Sequence, residues 1–321
     1  MPSVSVIIPI FKAESSIERC ARSLFEQTLD SVEFIFIDDC GDDESFPILS
    51  RVLDAYPERK SQTIIHRMGQ NSGTAAVRKQ GFSLSSGKYI IHCDSDDWVE
   101  KDAYESMYNK CVAEDLDMVI SDYWQDVFDT HNYWGQQFDG EDLIRMLLNN
   151  HLSSGLWNKM VRRDIYAMDD FIFPSENICE DFVYSIQFIL ASHKVGFIHK
   201  GLYHYVYNPN SILHNYSIEG AIERHRQICS NIGLSLGLLE SKSLSKKYED
   251  YIVCQKFLVK KGLINYLNDS AIYDLWRHTF GEINWKLLFV KTISFADKVT
   301  YVFCTLKVYA TAKKLINIVK R

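Results

Sequence analysis

The first 120 residues alternate short apolar runs with helical patterns, and this alternation constrains the fold more than any other feature of the chain. The apolar runs are rich in Val and Ile, as strands of a sheet covered on both faces should be. Between them, apolar residues recur at helical spacing, first at Ile17, Cys20, Ala21, Leu24 and Phe25. Such alternation predicts an α/β domain with parallel strands and right-handed crossovers. The predicted strands are residues 4–10, 32–37, 62–66, 88–93 and 117–121.

Acidic residues follow three of these predicted strands. Asp38 and Asp39 come after the second strand, the segment 94–97 (Asp-Ser-Asp-Asp) after the fourth, and Asp122 after the fifth. Ligands of parallel α/β sheets bind beyond the carboxyl ends of the strands, where these residues would meet. The sequence therefore predicts a polar site at that edge of the sheet.

The acidic segment 94–97 is the strongest single indication of chemistry. Asp94 and Asp96 stand two residues apart directly after an apolar run, so both carboxylates can approach one cation. Mg²⁺ and Mn²⁺ prefer oxygen ligands and bridge protein carboxylates to a diphosphate. An acidic turn that caps the next helix is the structural alternative, since Asp is a good N-cap residue.

Two more segments have both a functional and a structural interpretation. Asp39 could accept hydrogen bonds from a base or a ribose, but Asp and Gly are also common in strand-to-helix turns. In the segment with Asn71, Gly73 and Arg78, the glycine permits close backbone approach and the arginine is a candidate phosphate ligand. A capped helix with a solvated basic turn would explain the same residues.

Glu180 and Asp181 stand at the start of a predicted helix over residues 180–192. A reaction that activates an acceptor hydroxyl needs a general base, and a carboxylate aimed into a cleft from a helix start can serve. The structural alternative is stabilisation of the helix dipole, because acids are favoured in the first turn.

The sequence disfavours several classes of protein. No Gly-Lys-Ser/Thr follows Gly73 and no Gly-x-Gly-x-x-Gly occurs, which argues against a P-loop NTPase and a dinucleotide oxidoreductase. The net charge of −7 argues against a nucleic-acid binder. The eight cysteines form no Cys-x-x-Cys pair and no zinc-finger spacing, which predicts reduced thiols in a cytosolic protein.

Taken in order, these segments resemble glycosyltransferase family 2, which has the GT-A fold. The resemblance implies a GT-A catalytic domain over residues 1–215, with a Rossmann-like mixed sheet and helices on both faces. Residues 216–321 would be a helical C-terminal extension. The matching segments are residues 4–11 (VSVIIPIF), 34–39 (FIFIDD), 71–78 (NSGTAAVR), 87–97 (GKYIIHCDSDD), 157–159 (WNK) and 180–181 (ED).

The resemblance also implies a role for each matched residue. Asp96 would hold Mn²⁺ or Mg²⁺ on the diphosphate of the donor, Asp94 would approach the ribose, and Asp39 would contact the uracil or ribose. Asp181 would be the catalytic base, with Glu180 helping to orient the acceptor. The other donor-side residues would be Pro9, Phe11, Asn71, Gly73, Arg78 and Ser95, and the floor of the acceptor side would be Trp157, Asn158 and Lys159.

The implied enzyme is an inverting hexosyltransferase that uses a nucleotide-sugar donor, a UDP-sugar. Its acceptor would be a saccharide or lipid-linked saccharide in the assembly of a cell-surface or capsular polysaccharide or a glycolipid. A nucleotidyltransferase stays open as an alternative, although no Gly-rich loop follows the first strand. A non-catalytic sugar-nucleotide-binding protein of the same fold also stays open. Where many family members carry Tyr-Arg after the base helix, this chain has YHYVY at 203–207, so His204 or Tyr205 is the candidate replacement.

The C-terminal tail is basic as well as apolar. Residues 286–321 hold eight Lys or Arg against one acid, Asp297. A basic amphipathic helix can lie on an anionic membrane surface, but a helix packed on the protein with solvated lysines fits the same pattern. No signal-peptide pattern and no apolar run of about 18 residues is present, so we expect a cytoplasmic protein. If the tail binds lipid, the protein would lie at the inner face of the cell membrane.

Overall fold

The computed structural model describes residues 1–127, 130–135, 142–208 and 217–307. The chain divides into two compact units, each considered over its described residues. One comprises Met1–Glu141 and Ser154–Asn210, and the other Asp142–Ser153 and Ser211–Arg321. The domain boundary predicted at residue 215 lies outside the described residues.

The described residues of the first unit form a nine-stranded mixed sheet. The strands are β1 (Val4–Ile10), β2 (Val32–Asp38), β3 (Thr63–Arg67), β4 (Tyr89–His92), β5 (Trp98–Val99), β6 (Met118–Val127), β7 (Thr130–Trp134), β8 (Lys159–Arg162) and β9 (Val195–Val206). The first seven helices are α1 (Ile17–Phe25), α2 (Ser45–Asp54), α3 (Thr74–Leu84), α4 (Ala103–Glu114), α5 (Leu143–Leu148), α6 (Arg163–Tyr166) and α7 (Glu180–Ala191), of which α5 belongs to the second unit.

Strands β3, β2, β1 and β4 are neighbours in that order and all run parallel. The rest of the sheet departs from the purely parallel arrangement that the early alternation predicts. β8 lies antiparallel between β4 and β6, β7 pairs antiparallel with β6, and β5 pairs antiparallel with β9. The sheet is mixed at its centre because of β8, which begins at Lys159. The pattern of the first 120 residues therefore does not predict this antiparallel strand.

Alternate residues of β2 point to opposite faces, and each face is covered by helices. Phe34 and Phe36 belong to the large core that α1, α2 and α4 complete. Ile35 and Ile37 pack instead with Val77 of α3. Helices therefore lie on both faces of the sheet, as the sequence predicts.

The predicted end of the fifth strand, at residue 121, is wrong. β6 continues to Val127, and Asp122 lies within it at a register shift rather than after it. The side chain of Asp122 accepts a hydrogen bond from Tyr133 Oη at 2.5 Å. From Asp122 to Asp126 the residues are polar or aromatic, and they extend the strand because β7 and β9 supply pairing partners from later in the chain.

The second unit is helical in its described residues. Besides α5 it contains α8 (Ile218–Ser241), α9 (Glu249–Lys261), α10 (Ser270–His278) and α11 (Phe295–Thr305), with short 3₁₀ helices at Ile264–Tyr266, Gly281–Ile283 and Lys286–Leu288. Its core includes Leu287, Val290, Ile293, Tyr301 and Cys304 of the tail. Part of the tail therefore packs into this unit, while residues 308–321 lie outside the described residues. None of the described helices combines the length and hydropathy needed to cross a bilayer.

Candidate active site

The carboxyl ends of β1, β2 and β4 bring the predicted donor-side residues to one edge of the sheet. Pro9 is near the end of β1 and half-buried, and Phe11 follows it with 46% of its surface exposed. Asp39 follows β2, and its backbone N–H donates to the carbonyl of Ile10 at 2.9 Å. The segment 94–97 begins two residues after β4.

Asp39 ties the end of β2 to the start of α3. It is 3% exposed, and its two carboxylate oxygens accept from the backbone N–H groups of Ser72 at 2.7 Å and Gly73 at 2.8 Å. Gly73 has a φ of 81°, and a Cβ there would lie 2.2 Å from Asn177 Nδ2. Asn177 Oδ1 in turn accepts from the N–H of Ala75 at 3.1 Å. Glycine is thus required by both conformation and space, while Asn71 stays exposed on the same loop.

Arg78 joins three segments that the sequence presents separately. It is 5% exposed within α3, and its Nη2 donates to Asp94 Oδ1 at 3.0 Å while its Nη1 donates to Glu180 Oε1. Burial lowers the pKa of Arg78, but the charges of Glu180, Asp94 and Asp181 outweigh burial and raise it. Both Nη atoms bind the protein's own carboxylates here, so a contact of Arg78 with phosphate stays a prediction.

The members of segment 94–97 have different surroundings. Asp97 is buried, and its carboxylate accepts from Tyr203 Oη at 2.6 Å and from the N–H of Val206 at 2.7 Å. Burial raises the pKa of Asp97 well above its usual range, and burial also raises that of Asp94 against the charge of Arg78. Asp97 is therefore structural, and it anchors β9 to this loop.

Asp96 is the carboxylate of this segment that suits a metal. It is half-buried, as is Ser95 beside it, and its Oδ2 accepts from Asn208 Nδ2 at 2.9 Å. Within residues 1–127, 130–135, 142–208 and 217–307, no cluster of three metal-binding side chains includes Asp94 or Asp96. Mg²⁺ is commonly held by one or two carboxylates, with phosphate oxygens and waters completing its shell. The residues thus fit a cation that binds together with a diphosphate.

Glu180 and Asp181 are adjacent in the first turn of α7 but have different environments. Glu180 is 7% exposed against Arg78, and burial raises its pKa to about 7 while the charge of Arg78 opposes the shift. Asp181 is half-buried, and its Oδ2 accepts from Ser154 Oγ at 2.7 Å. The carbonyl of Ser154 accepts from Ser185 Oγ at 2.7 Å. Asp181 is thus oriented by Ser154, a residue that sequence reasoning missed and that no motif signals.

All three predicted acceptor-side residues are buried, at 8%, 0% and 1% exposure for Trp157, Asn158 and Lys159. Trp157 stacks on Tyr203, with ring centroids 4.4 Å apart. Asn158 is fully buried and donates to the carbonyl of Ser121 at 3.0 Å. Lys159 Nζ donates to the Gly155 carbonyl at 2.7 Å and to Asn158 Oδ1 at 3.0 Å. Burial lowers the pKa of Lys159 to about 7, although the charge of Asp181 opposes the shift.

The two candidate replacements for the missing arginine face opposite ways on β9. Successive residues of a strand alternate, so Tyr203 and Tyr205 share one face and His204 lies on the other. Burial and the negative charges of segment 94–97 raise the pKa of Tyr205 to about 12. His204 Nε2 instead contacts Glu100 Oε1 at 2.9 Å. Tyr205, and not His204, therefore faces the predicted donor site.

Comparisons with known proteins agree with this fold. The family model "Glycosyl transferase family 2" matches residues 5–168, just over half of the 321 residues. The chain is 26% identical over 223 residues to the uncharacterized glycosyltransferase EpsJ of Bacillus subtilis, covering 66% of this chain and 63% of EpsJ. It is 26% identical over 318 residues to the cholesterol galactosyltransferase of Borreliella burgdorferi, covering 93% and 79%.

The structure of S. aureus TarS 1–349 in complex with UDP-GlcNAc is also similar. The two share 14% sequence identity with a TM-score of 0.61, over 98% of this chain and 92% of that chain. This likeness confirms the predicted GT-A fold. The chain spans less than two thirds of the length of EpsJ.

Proposed function

The chain belongs to glycosyltransferase family 2, and on that premise we propose that it transfers a sugar from a UDP-sugar to an acceptor hydroxyl, with inversion at the anomeric carbon. One observation carries the proposal: Arg78 links Asp94, beyond β4, to Glu180, at the start of the base helix. The predicted donor-side acid and the predicted base pair are therefore held in one network. The likeness to TarS, whose structure contains UDP-GlcNAc, supports UDP as the nucleotide.

On the donor side, the residues at the sheet edge bind and orient the nucleotide. In this proposal Pro9 and the exposed ring of Phe11 line the base pocket, and Asp94 approaches the ribose. Asp39, whose carboxylate oxygens already accept from the N–H groups of Ser72 and Gly73, would contact the uracil or ribose through their remaining lone pairs. Asn71, Gly73, Arg78 and Ser95 complete this side. Mn²⁺ or Mg²⁺ held by Asp96 would neutralise charge on the departing diphosphate.

On the acceptor side, Asp181 is the general base. The acceptor oxygen forms a bond to the anomeric carbon, the bond from that carbon to the diphosphate oxygen breaks, and the diphosphate keeps the electron pair. The hydroxyl proton moves to Asp181, which Ser154 orients at 2.7 Å. Glu180, which Arg78 holds, helps to orient the acceptor. Trp157, Asn158 and Lys159 support the acceptor side from buried positions.

Donor binding separates this function from a non-catalytic protein of the same fold. We expect calorimetry to show binding of at least one UDP-sugar that strengthens with Mn²⁺ in the parent chain. Asp96→Asn should remove the effect of Mn²⁺, because the metal loses its carboxylate. Asp102→Asn, which alters an acid paired with Lys200, is the matched control and should bind as the parent does. Metal-independent binding in the parent, or none to any UDP- or GDP-sugar, would contradict the proposal.

The acceptor is a saccharide or a lipid-linked saccharide, in the assembly of a surface polysaccharide or a glycolipid. The second unit offers a surface suited to a lipid-linked substrate. Trp285, Phe289 and Phe295 are 77%, 84% and 83% exposed, and Lys286 and Lys291 lie among them in sequence and are also exposed. Aromatic rings with lysines suit the boundary of an anionic bilayer, so this surface would hold the enzyme at the inner face of the membrane.

Vesicle binding tests this surface. The parent chain should sediment with vesicles of phosphatidylglycerol and phosphatidylcholine, and less so as salt rises, because lysines contribute. Trp285→Ser combined with Phe289→Ser should release it into the supernatant. Phe46→Ser changes a 38% exposed ring of the first unit and should leave sedimentation unchanged. Equal sedimentation of all three proteins would show that this surface does not bind lipid.

A further inference from the structure

Two histidines and an aspartate converge on the face of the sheet that carries His204. Asp126 of β6 and His131 of β7 are direct partners across an antiparallel pair, and His204 lies on β9, which also pairs with β6. Their ligand atoms all lie within 4.8 Å of one another. His204 is 2% exposed, Asp126 is half-buried, and His131 is open to solvent. The group is thus buried on the side of His204 and accessible to solvent on the side of His131.

One ring nitrogen of the buried His204 has a lone pair that faces Asp126. Its Nε2 lies 2.9 Å from Glu100 Oε1, and because a carboxylate only accepts, Nε2 carries the hydrogen. Nδ1 is then an acceptor. It is buried with no hydrogen-bond partner among the described residues, and Asp126 Oδ2 is 3.4 Å away. Two electron-rich atoms facing each other repel, and a cation between them removes the repulsion.

From this geometry we propose that Asp126, His131 and His204 bind a divalent transition-metal cation such as Zn²⁺. Two imidazole nitrogens and one carboxylate oxygen make a three-ligand set that leaves one tetrahedral position for water. Imidazole ligands favour Zn²⁺ over the harder Mg²⁺ and Mn²⁺. Glu100 fixes the tautomer and orientation of His204, as carboxylates commonly do for histidines that bind metals.

Two tryptophans shield the proposed ligands. The ring of Trp98 stacks on His204 with centroids 3.4 Å apart, and the ring of Trp124 stacks on His131 at 4.1 Å. Stacking fixes the orientation of both imidazoles and excludes water from one side of the site, which strengthens coordination. A bound cation would cross-link β7, β6 and β9.

This metal site is separate from the metal proposed at Asp96. His204 lies on the opposite face of β9 from Tyr203 and Tyr205, and Tyr203 is the residue that binds Asp97. No residue of the proposed donor site is among the three ligands. Loss of one site should therefore leave the other intact, so failure of one proposal is distinguishable from failure of the other.

Calorimetry with Zn²⁺ on the metal-free full chain tests the proposal. The parent should bind one equivalent, and the Co²⁺-loaded chain should show the visible absorption of a tetrahedral site. Glu100→Gln should weaken Zn²⁺ binding by roughly 10- to 100-fold, the usual effect of losing a supporting carboxylate. His131→Ala should weaken it further, and since His131 is 49% exposed this variant should fold normally.

Two controls complete the experiment. His193→Ala removes an exposed histidine outside the cluster and should bind Zn²⁺ as the parent does. Asp96→Asn should also keep Zn²⁺ binding. No stoichiometric binding by the parent, equal binding by His131→Ala, or loss of binding in Asp96→Asn would each overturn the proposal.

Discussion

The Asp181→Asn variant is expected to transfer sugar roughly 10²- to 10⁴-fold more slowly than the parent, the range that a positioned general base contributes. An amide cannot take the acceptor proton, but it keeps the size of the carboxylate and can still accept from Ser154 Oγ. Donor affinity should therefore stay close to that of the parent. Initial rates of transfer, measured with calorimetry of the donor, separate the two effects.

Two further variants, a control and a change at Ser154, accompany Asp181→Asn. Asp169→Asn alters an exposed acid of the first unit and should leave transfer unchanged. Ser154→Ala should lower the rate less than Asp181→Asn does, because it removes the hydrogen bond that orients the base and not the base itself. Full transfer activity in Asp181→Asn would assign the proton to another group.

The second large effect is expected on stability. Arg78→Met should lower the free energy of unfolding by about 3–5 kcal/mol, the usual result of removing one partner from a buried ionic network. Glu180 would keep its buried carboxylate, and Asp94 its half-buried one, without the cation that both contact. Urea unfolding followed by circular dichroism measures the loss. Arg78→Met with Glu180→Gln should recover part of it, because one of the two unpaired charges is removed.

Arg22→Met is the control for this substitution. Arg22 makes an exposed i,i+4 pair with Glu18, and such pairs contribute little to stability, about 0–1 kcal/mol. An Arg78→Met protein as stable as Arg22→Met would show that the ionic network does not hold the acidic segments together.

The early strands and their acidic ends are predictable because their signals are local. Residues 4–10 are predicted and observed as β1. β2 and β4 fall within two residues of their predicted limits, since each is an apolar run bounded by polar residues. Parallel pairing of these strands then places Asp39 and Asp94 at one edge.

Contacts between distant residues are not predictable in this way. Arg78 and Glu180 are 102 residues apart, and Asp97 and Tyr203 are 106 apart. The insertion of β8 between β4 and β6 depends on pairings that no short segment encodes. Glu180 and Asp181 are adjacent and chemically alike in the sequence, and only their contacts in the fold distinguish them, with Arg78 for Glu180 and with Ser154 for Asp181.

The most direct measurement of the proposed reaction is product release from a panel of nucleotide-sugars with Mn²⁺. We expect the parent chain to release UDP from at least one UDP-sugar, by hydrolysis or by transfer to added saccharides, and the Asp96→Asn chain to release far less. Release of pyrophosphate would identify a nucleotidyltransferase instead. Release of UDP by Asp96→Asn and Asp181→Asn at the rate of the parent would contradict the proposed site.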